Sequence, residues 1–334
     1  MLETSMNAVV LTKPCKAEEM ALTEIPVPQT RPGWVLIKVK AFGINHSEVL
    51  LRQFEVAQDY IRKPIVPGIE CVGEVIDPSD SGFAKGRRVM ALMGGMGRSF
   101  NGSYAEYALL PVSHVFPIES SLDWDELAAI PETFYTAYGS LRLSLQVNSD
   151  DTLLIRGGSS TVGIAALQLA KAMDAKVIST TRSEKKADLL RGYGADDVIL
   201  EGEDFRKRFL EKYPAGATKV LELIGASTLY ESLRLTALHG IVCHTGLLGG
   251  VYGLKNFDPI KDIPSGVYLT GFYSNSPTPN QISDMMSLIE KGDIHPVIAE
   301  KFTLDNISDA HLLAEQRGQI GKIVVANRQE SIKS

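Results

Sequence analysis

The chain has 334 residues, of which 44% are hydrophobic and 22% are charged, a composition typical of globular proteins with room for about two domains. Its 34 basic and 40 acidic side chains give a formal net charge of −6, which argues against nucleic acid as a main partner. Because no apolar run approaches the ~18 residues that span a bilayer and the N-terminus lacks signal-peptide features, we expect a cytoplasmic protein without membrane contact.

The first part of the chain, residues 1 to about 125, is rich in Val, Ile, Pro and Gly. It contains strand-like stretches such as residues 34–39 and few helical patterns. This region is therefore predicted to be a mostly β domain.

The middle of the chain alternates short apolar runs with helical periodicity, the pattern of a parallel sheet. A helix is predicted over 162–173, and a second helix is predicted to be capped by Ser183 and ended by Gly194 in the C′ position. Six strands with intervening helices predict a doubly wound α/β fold. The predicted strands are residues 152–156, 176–180, 198–200, 219–224, 241–245 and 267–270.

The C-terminal stretch has helical patterns at 282–291 and 307–316 and a strand at 323–325. It is too short to stand alone, so we expect residues 275–334 to pack against the N-terminal domain. The predicted domains are residues 1–125 with 275–334, and residues 126–274, with a cleft where they meet.

A glycine-rich turn lies between the strand at 152–156 and the helix that follows it. In the G-x-G-x-x-G dinucleotide pattern the matching residues are Gly158, Ser160 and Gly163, so the middle glycine is a serine. A helix N-terminus offers N–H groups and the positive end of the helix dipole to a pyrophosphate. Ser159, Thr161 and Val162 complete the predicted phosphate-binding segment, with hydroxyl groups as further donors.

NAD-specific folds usually place an acid after the second strand to accept a hydrogen bond from the ribose 2′-hydroxyl. Here that place reads Thr180-Thr181-Arg182-Ser183, without a carboxylate. Arg182 and Lys186 supply cations suited to a 2′-phosphate. The alternative is that both charged side chains simply face solvent at the start of a helix. The predicted cofactor is NADP(H), with Thr181 among its contacts.

Four further motifs occur along the chain in order: AFGINHSE at 41–48, PGIECVGEV at 67–75, PETFYTAY at 131–138 and GKIV at 321–324. With the glycine turn, they resemble the medium-chain dehydrogenase/reductase family, and within it the zinc-independent, zeta-crystallin-like quinone oxidoreductase group. The resemblance implies a GroES-like catalytic domain beside a Rossmann nucleotide-binding domain. It also implies cofactor contacts at later positions, namely Ile224, Gly225, Thr245, Gly246, Leu247, Phe272 and Lys322.

Zinc-dependent members of that family hold a catalytic metal with cysteine and histidine side chains. Matched by position, this chain offers Asn45, Ile69 and Glu132, which lack thiolate and imidazole, and the four-cysteine structural lobe is missing. His46, Glu48 and Glu70 are read as hydrogen-bonded structure rather than as ligands, so no metal is predicted. The three cysteines, Cys15, Cys71 and Cys243, are far apart and are predicted to be buried or free thiols.

Without a Lewis acid, the favoured reaction is hydride transfer from NADPH to a carbon that is already electrophilic, as in quinones and α,β-unsaturated carbonyls. Asn45 is the first candidate to contact the substrate oxygen or the nicotinamide ribose. The alternative is that Asn45 only shapes a turn. Thr136 is a candidate for the carboxamide. Tyr60 is the candidate for a proton donor, and the alternative is that solvent supplies the proton. Aromatic walls of the substrate site are predicted from Tyr60, Phe134, Tyr135, Phe272 and Tyr273.

Two other functions remain open at this point. Reduction of enoyl thioesters would need a longer tunnel and a basic rim, and a regulatory protein would bind NADPH without turnover. The strand at 267–270 is predicted to lie at a sheet edge, where pairing across a two-fold axis would form a homodimer.

Overall fold

The computed structural model describes residues 4–316 and 318–327. The chain forms two compact units. Among the described residues, unit 1 takes 4–132, 275–284, 295–316 and 318–327, and unit 2 takes 133–274 and 285–294. Within the described ranges, each helix is too short or too polar to traverse a lipid bilayer.

Strands and helices are numbered in chain order. The strands are β1 (Ser5–Val9), β2 (Leu22–Pro26), β3 (Trp34–Ile44), β4 (Glu70–Asp77), β5 (Arg88–Leu92), β6 (Tyr107–Pro111), β7 (Val115–Pro117), β8 (Thr152–Arg156), β9 (Lys176–Thr181), β10 (Asp197–Leu200), β11 (Ala217–Glu222), β12 (Thr236–His244), β13 (Tyr268–Gly271), β14 (Ile298–Thr303) and β15 (Lys322–Ala326). The α-helices are α1 (His46–Gln53), α2 (Trp124–Ala128), α3 (Pro131–Tyr138), α4 (Thr161–Ala172), α5 (Glu184–Gly192), α6 (Phe205–Lys212), α7 (Leu229–Arg234), α8 (Pro259–Asp262), α9 (Pro279–Lys291) and α10 (Ile307–Glu315). Short 3₁₀ turns and a π-helical turn at Gly139–Ser144 complete the set.

Unit 1 is built around β3, a long strand whose alternating Val35, Ile37 and Val39 are buried in the core. Along one edge, β3 pairs antiparallel first with β6 and then with β15, and along the other edge it pairs with β4. Ile323 is opposite Ile44 in this register. Lys322 therefore lies next to the start of α1, which follows β3 directly.

Unit 2 contains a six-stranded parallel sheet in the order β10-β9-β8-β11-β12-β13. By chain position this is the 3-2-1-4-5-6 order of a doubly wound sheet, so the predicted fold is confirmed. The apolar strand residues, such as Leu154, Ile178 and Val220, pack with Phe205 and Phe209 in one buried cluster. The carboxyl ends of all six strands meet at one edge of the sheet.

The structure corrects two local predictions in unit 2. The strand predicted over 219–224 ends earlier, at Glu222, because the Glu222 carboxylate accepts hydrogen bonds from the N–H groups of Ile224 (2.8 Å) and Gly225 (2.9 Å). Ser183 stands at the N-cap position of α5, but its side chain makes no capping hydrogen bond. Gly194 does follow the helix in the left-handed region, with φ +103°, as predicted.

Candidate functional site

The glycine turn between β8 and α4 leaves no room for side chains at two positions. A Cβ atom on Gly158 would lie 1.8 Å from Ser179 Oγ, and one on Gly163 would lie 2.6 Å from the carbonyl oxygen of Gly157. Gly157 itself has φ +78°, a left-handed conformation that favours glycine. The turn therefore packs its backbone directly on β9 and on the first turn of α4.

Ser160 replaces the middle glycine of the pattern and caps α4. Its hydroxyl group accepts a hydrogen bond from the Gly163 N–H (3.1 Å) and donates one to the Gly157 carbonyl (2.7 Å). The N–H groups of Ser159 and Val162 have no acceptor in the part of the chain that the structure describes. These two donors, at the positive end of the α4 dipole, are available to an anion.

The end of β9 carries the predicted cations beside this turn. Arg182 is exposed and Lys186 is half-buried, and neither has an acidic partner among residues 4–316 and 318–327. The Thr181 hydroxyl donates to Ser159 Oγ (3.3 Å), which joins the end of β9 to the glycine turn. The turn and the two cations therefore belong to the same edge of unit 2.

A buried polar network lies behind that edge and was not predicted. Arg156, the last residue of β8, is only 1% exposed, and its guanidinium donates to both oxygens of Glu201, at 3.0 and 2.5 Å. It also pairs with Glu231 at 2.7 Å and donates to Ser232 Oγ at 3.3 Å. Ser232 in turn donates to Glu222, whose pKa is raised by burial although Arg156 opposes the rise.

The other predicted cofactor residues of unit 2 lie along the same carboxyl edge. Ile224 and Gly225 are held by Glu222, and the Thr245 hydroxyl lies 2.9 Å from Ser140 Oγ. Gly246 and the exposed Leu247 continue the turn after β12. Thr136 is half-buried on α3, and its carbonyl accepts from Ser140 Oγ (2.8 Å).

In unit 1, Asn45 and Lys322 come together in a buried cluster with Glu70. Lys322 Nζ lies 2.7 Å from Glu70 Oε1 and donates to Asn45 Oδ1 at 2.6 Å. Asn45 Nδ2 donates to Glu70 Oε1 (2.8 Å) and, at 3.4 Å, to Glu48 Oε1. The Glu132 N–H completes the cluster by donating to Glu70 Oε2 (2.6 Å).

Two acids of this cluster, Glu48 and Glu70, have no exposed surface. Burial, and secondarily the neighbouring Glu70 carboxylate, raises the pKa of Glu48 to about 7, against a smaller opposing effect of Lys322. Glu48 also caps α1, because it accepts from the Asn45 N–H (3.1 Å), and it accepts from the Ile69 N–H (3.2 Å). A buried carboxyl group thus links the start of α1 to the start of β4.

The three positions that the family resemblance matches to zinc ligands make other contacts here. The Asn45 amide is bonded to Lys322, Glu70 and Glu48, Ile69 is a buried alkyl side chain, and Glu132 uses its backbone N–H on Glu70. Within the described residues, no group of three or more His, Cys, Asp and Glu side chains could hold a metal ion. His46 is exposed, and the three cysteines are free thiols, as predicted for the latter.

The aromatic residues predicted as walls of a substrate site differ in their surroundings. Tyr60, the candidate for a proton donor, is 66% exposed in unit 1. In unit 2, Phe134 and Tyr135 are buried, and Tyr135 meets Phe272 edge-on with ring centroids 5.8 Å apart. Tyr273 is exposed. Phe272, which also faces Gly139 closely, is therefore part of a packed aromatic group within that unit.

Unit 1 holds a second buried polar group that the sequence did not reveal. Arg52, on the same face of α1 as Glu48, donates to His311 Nδ1 (3.3 Å) and pairs with Glu315. His311 Nε2 lies 3.0 Å from the Tyr104 hydroxyl, and burial lowers the pKa of His311 to about 3. Because Arg52 is a donor to Nδ1, the neutral imidazole carries its proton on Nε2 and donates to Tyr104.

Two parts of the chain match models of known protein families. Residues 31–120 match the model of the alcohol dehydrogenase GroES-like domain, and residues 161–291 match that of the zinc-binding dehydrogenases. The chain is 29% identical to the quinone oxidoreductase of Homo sapiens, over 91% of this chain and 92% of that protein. It is 25% identical to the acryloyl-coenzyme A reductase of Sulfurisphaera tokodaii, over 96% and 99%. The crystal structure of AibC superimposes with a TM-score of 0.90 at 27% identity, covering 98% of this chain and 97% of that one.

Proposed function

The chain belongs to the medium-chain dehydrogenase/reductase family and is an oxidoreductase of its zeta-crystallin-like quinone oxidoreductase group, and from this membership we propose a more specific function. The proposed enzyme is an NADPH-dependent reductase of quinones or α,β-unsaturated carbonyls that works without zinc. The observation that carries the proposal is the edge of unit 2. There, two cations without acidic partners among the described residues follow a glycine turn with two N–H groups that lack acceptors.

The residues of that edge fit a dinucleotide. Gly158 packs against Ser179 and Gly163 against the Gly157 carbonyl, so these two glycines let α4 begin close to β9, with its N-terminus available to a pyrophosphate. Arg182 and Lys186 would meet a 2′-phosphate, and no acid stands at positions 180–183 to accept the ribose hydroxyl of NADH. When bound, NADPH supplies the hydride, and the chain supplies binding and orientation. We assign nucleotide binding to unit 2.

The residues of unit 1 do not fit a catalytic zinc ion. An amide whose oxygen already accepts from an ammonium group, together with a buried isoleucine, cannot replace thiolate and imidazole ligands. No step of the proposed reaction passes through a metal. Elemental analysis of the purified protein is expected to find no stoichiometric zinc, and full activity should survive a chelator. One zinc per chain, with activity lost to chelator and regained with Zn²⁺, would contradict the proposal.

A metal-free site favours substrates that need no Lewis acid. Hydride added to a quinone or an enone leaves a delocalised negative charge on oxygen, which a hydrogen-bond donor can stabilise. Asn45 can provide such a donor, because the hydrogen that it directs to Glu48 spans a long 3.4 Å contact and is the easier one to exchange. Lys322 and Glu70 hold the rest of that amide in place.

The second candidate is reduction of an enoyl thioester, which the similarity to acryloyl-coenzyme A reductase over 96% of this chain favours. A protein that binds NADPH without turnover is the third.

We also propose a homodimer formed through β13, which lies at the edge of the unit 2 sheet with Tyr268 57% exposed and Leu238 70% exposed nearby. Light scattering on the purified protein tests that state.

The test of function is NADPH oxidation followed by its absorbance against a panel of small quinones, enones and enoyl-coenzyme A thioesters, with NADH in parallel. We expect turnover of quinones or enones, with NADPH preferred at least about tenfold, as charge-assisted bonds to a 2′-phosphate imply. Turnover confined to thioesters would favour the second candidate. NADPH binding without turnover of any class would favour the third.

A further inference from the structure

Arg156 occupies a place where a charged side chain is unusual. It ends β8 immediately before the glycine turn, it is almost fully buried, and its guanidinium lies over the ring of Phe205 at 4.4 Å. Three carboxylates, those of Glu201, Glu222 and Glu231, surround it. Burying this group is costly, and its one guanidinium faces three carboxylates.

Hydrogen bonds run from Arg156 to two turns of the proposed nucleotide edge. On one side, Glu201 Oε1 accepts from the Thr180 hydroxyl (2.7 Å), which accepts from the Gly157 N–H (3.1 Å). On the other side, Arg156 reaches Ser232, and Ser232 donates to Glu222. Glu222 then holds the turn after β11 through two backbone N–H groups. Arg156 thus connects the glycine turn with the turn after β11.

Glu201 makes this connection relevant to cofactor choice. Its N–H donates to the Thr181 carbonyl (2.8 Å), so its carboxylate follows β10 directly beside the end of β9. A free carboxylate near that place would repel a 2′-phosphate and favour a ribose hydroxyl. Here both of its oxygens are bound by Arg156, side-on and in a buried setting, which neutralises the charge.

We propose that Arg156 is a positioning residue that determines cofactor specificity, because it binds and neutralises Glu201 and so keeps the end of β9 receptive to a 2′-phosphate. This inference rests on the proposed NADPH-dependent function. Arg156 itself touches neither nucleotide nor substrate in this account. It acts through Glu201 and through the two turns that its hydrogen bonds hold together.

The experiment measures the dissociation constants of NADPH and NADH by calorimetry on the purified full chain and its variants. In Arg156→Met, we expect the constant for NADPH to rise about tenfold and that for NADH to change less than about threefold, since the Glu201 carboxylate opposes mainly the 2′-phosphate, the charge that only NADPH carries at the end of β9. Adding Glu201→Gln should restore NADPH binding to within about threefold of the wild type, because the carboxylate that follows β10 beside the end of β9 is then gone, although Glu222 and Glu231 remain. In Arg156→Met, the kcat at saturating NADPH should change less than the KM for NADPH.

Two further variants guard against a merely structural explanation. Arg52 is also almost fully buried and paired with a carboxylate, Glu315, but it lies in unit 1. Arg52→Met is therefore the matched control, expected to lower the melting temperature without changing the preference between the cofactors. If Arg156→Met does not fold, Arg156→Lys carries the test, because one ammonium group cannot bind both Glu201 oxygens as a guanidinium does. We expect it to weaken NADPH binding about threefold, again reversibly by Glu201→Gln.

Equal losses for both cofactors, or a selective loss that Glu201→Gln does not reverse, would overturn the inference while leaving the proposed function intact. A wild-type protein that binds neither nucleotide would overturn both.

Discussion

Replacing Glu48 with glutamine should change the pH dependence of stability in unit 1. Glu48 is fully buried, and burial together with the Glu70 carboxylate raises its pKa from the ordinary 4.5 to about 7. The folded state therefore holds the Glu48 proton more tightly than the unfolded chain does. The stability that this proton contributes is complete below about pH 4.5 and is lost as the pH rises towards about 7.

The size of the effect follows from the same pKa. Each pKa unit corresponds to about 1.4 kcal/mol, so a rise from 4.5 to about 7 lowers the free energy of unfolding by about 3 kcal/mol across that range. Glu48→Gln removes this titration. It also lowers the free energy of unfolding by an amount that does not depend on pH, because one of the two N–H groups, of Asn45 or Ile69, then faces the amide nitrogen and loses its acceptor oxygen. The variant should therefore gain about 3 kcal/mol relative to the wild type between pH 4.5 and pH 8.

The assay uses the two tryptophans of the chain, Trp34 and Trp124, which both lie in unit 1 and report its unfolding by fluorescence. Urea unfolding is measured at pH 4.5, 6 and 8 for the wild type, Glu48→Gln and the control Glu24→Gln, which removes an exposed carboxylate of β2 in the same unit. A difference between Glu48→Gln and the wild type that stays constant with pH would refute the reasoning.

Three other outcomes follow from the sites. The double variant Arg182→Ala, Lys186→Ala should raise the KM for NADPH at least about tenfold and leave the KM for NADH nearly unchanged, since charge-assisted bonds to a phosphate are worth ~1.5–3 kcal/mol each. Equal kcat/KM for the two cofactors in the wild type would contradict the predicted preference for NADPH. Asn45→Ala should lower kcat/KM with a quinone about 5- to 150-fold in a folded protein, the equivalent of ~1–3 kcal/mol, and an unchanged value would return Asn45 to a purely structural role. Gly158→Ala should weaken NADPH binding, because its Cβ would lie 1.8 Å from Ser179 Oγ, and Ser179→Ala should restore part of the loss, whereas normal binding by the single variant would show that the turn tolerates a side chain.

Local patterns were enough to predict the doubly wound sheet. The strand at Thr152–Arg156, the glycine turn and α4 lie within about twenty consecutive residues, and their periodicity and turn chemistry agree with the fold. The prediction was less accurate where a side chain ends an element. Glu222 binds the N–H groups that follow it and ends β11 early, and at the start of α5 the side chain of Thr181, not that of Ser183, accepts a backbone hydrogen bond. Such competition between side chain and backbone is not visible in a hydrophobic pattern.

The buried charged groups could not be predicted because their partners are distant in sequence. Lys322 binds Asn45 across 277 positions, and Arg156 binds Glu201 across 45. An arginine at the end of a strand ordinarily reaches solvent, and only the sheet order, with β10 and β11 on either side of β9 and β8, brings acids around it. The one available signal was the acid that directly follows the apolar run of β10.

Asn45 starts a helix and also belongs to a buried ion-paired cluster, and this double role restricts how the protein could evolve. A cysteine at position 45 and a histidine at position 69 would introduce two metal-binding side chains, but position 45 lies beside the Lys322 ammonium, which repels a divalent cation. The same cysteine would remove the N-cap residue of α1. Acquiring a metal centre would thus require Lys322 to change as well, and Glu70 would then lose its buried counter-charge. The ion pair makes single steps in that direction unfavourable for folding before any new chemistry could be gained.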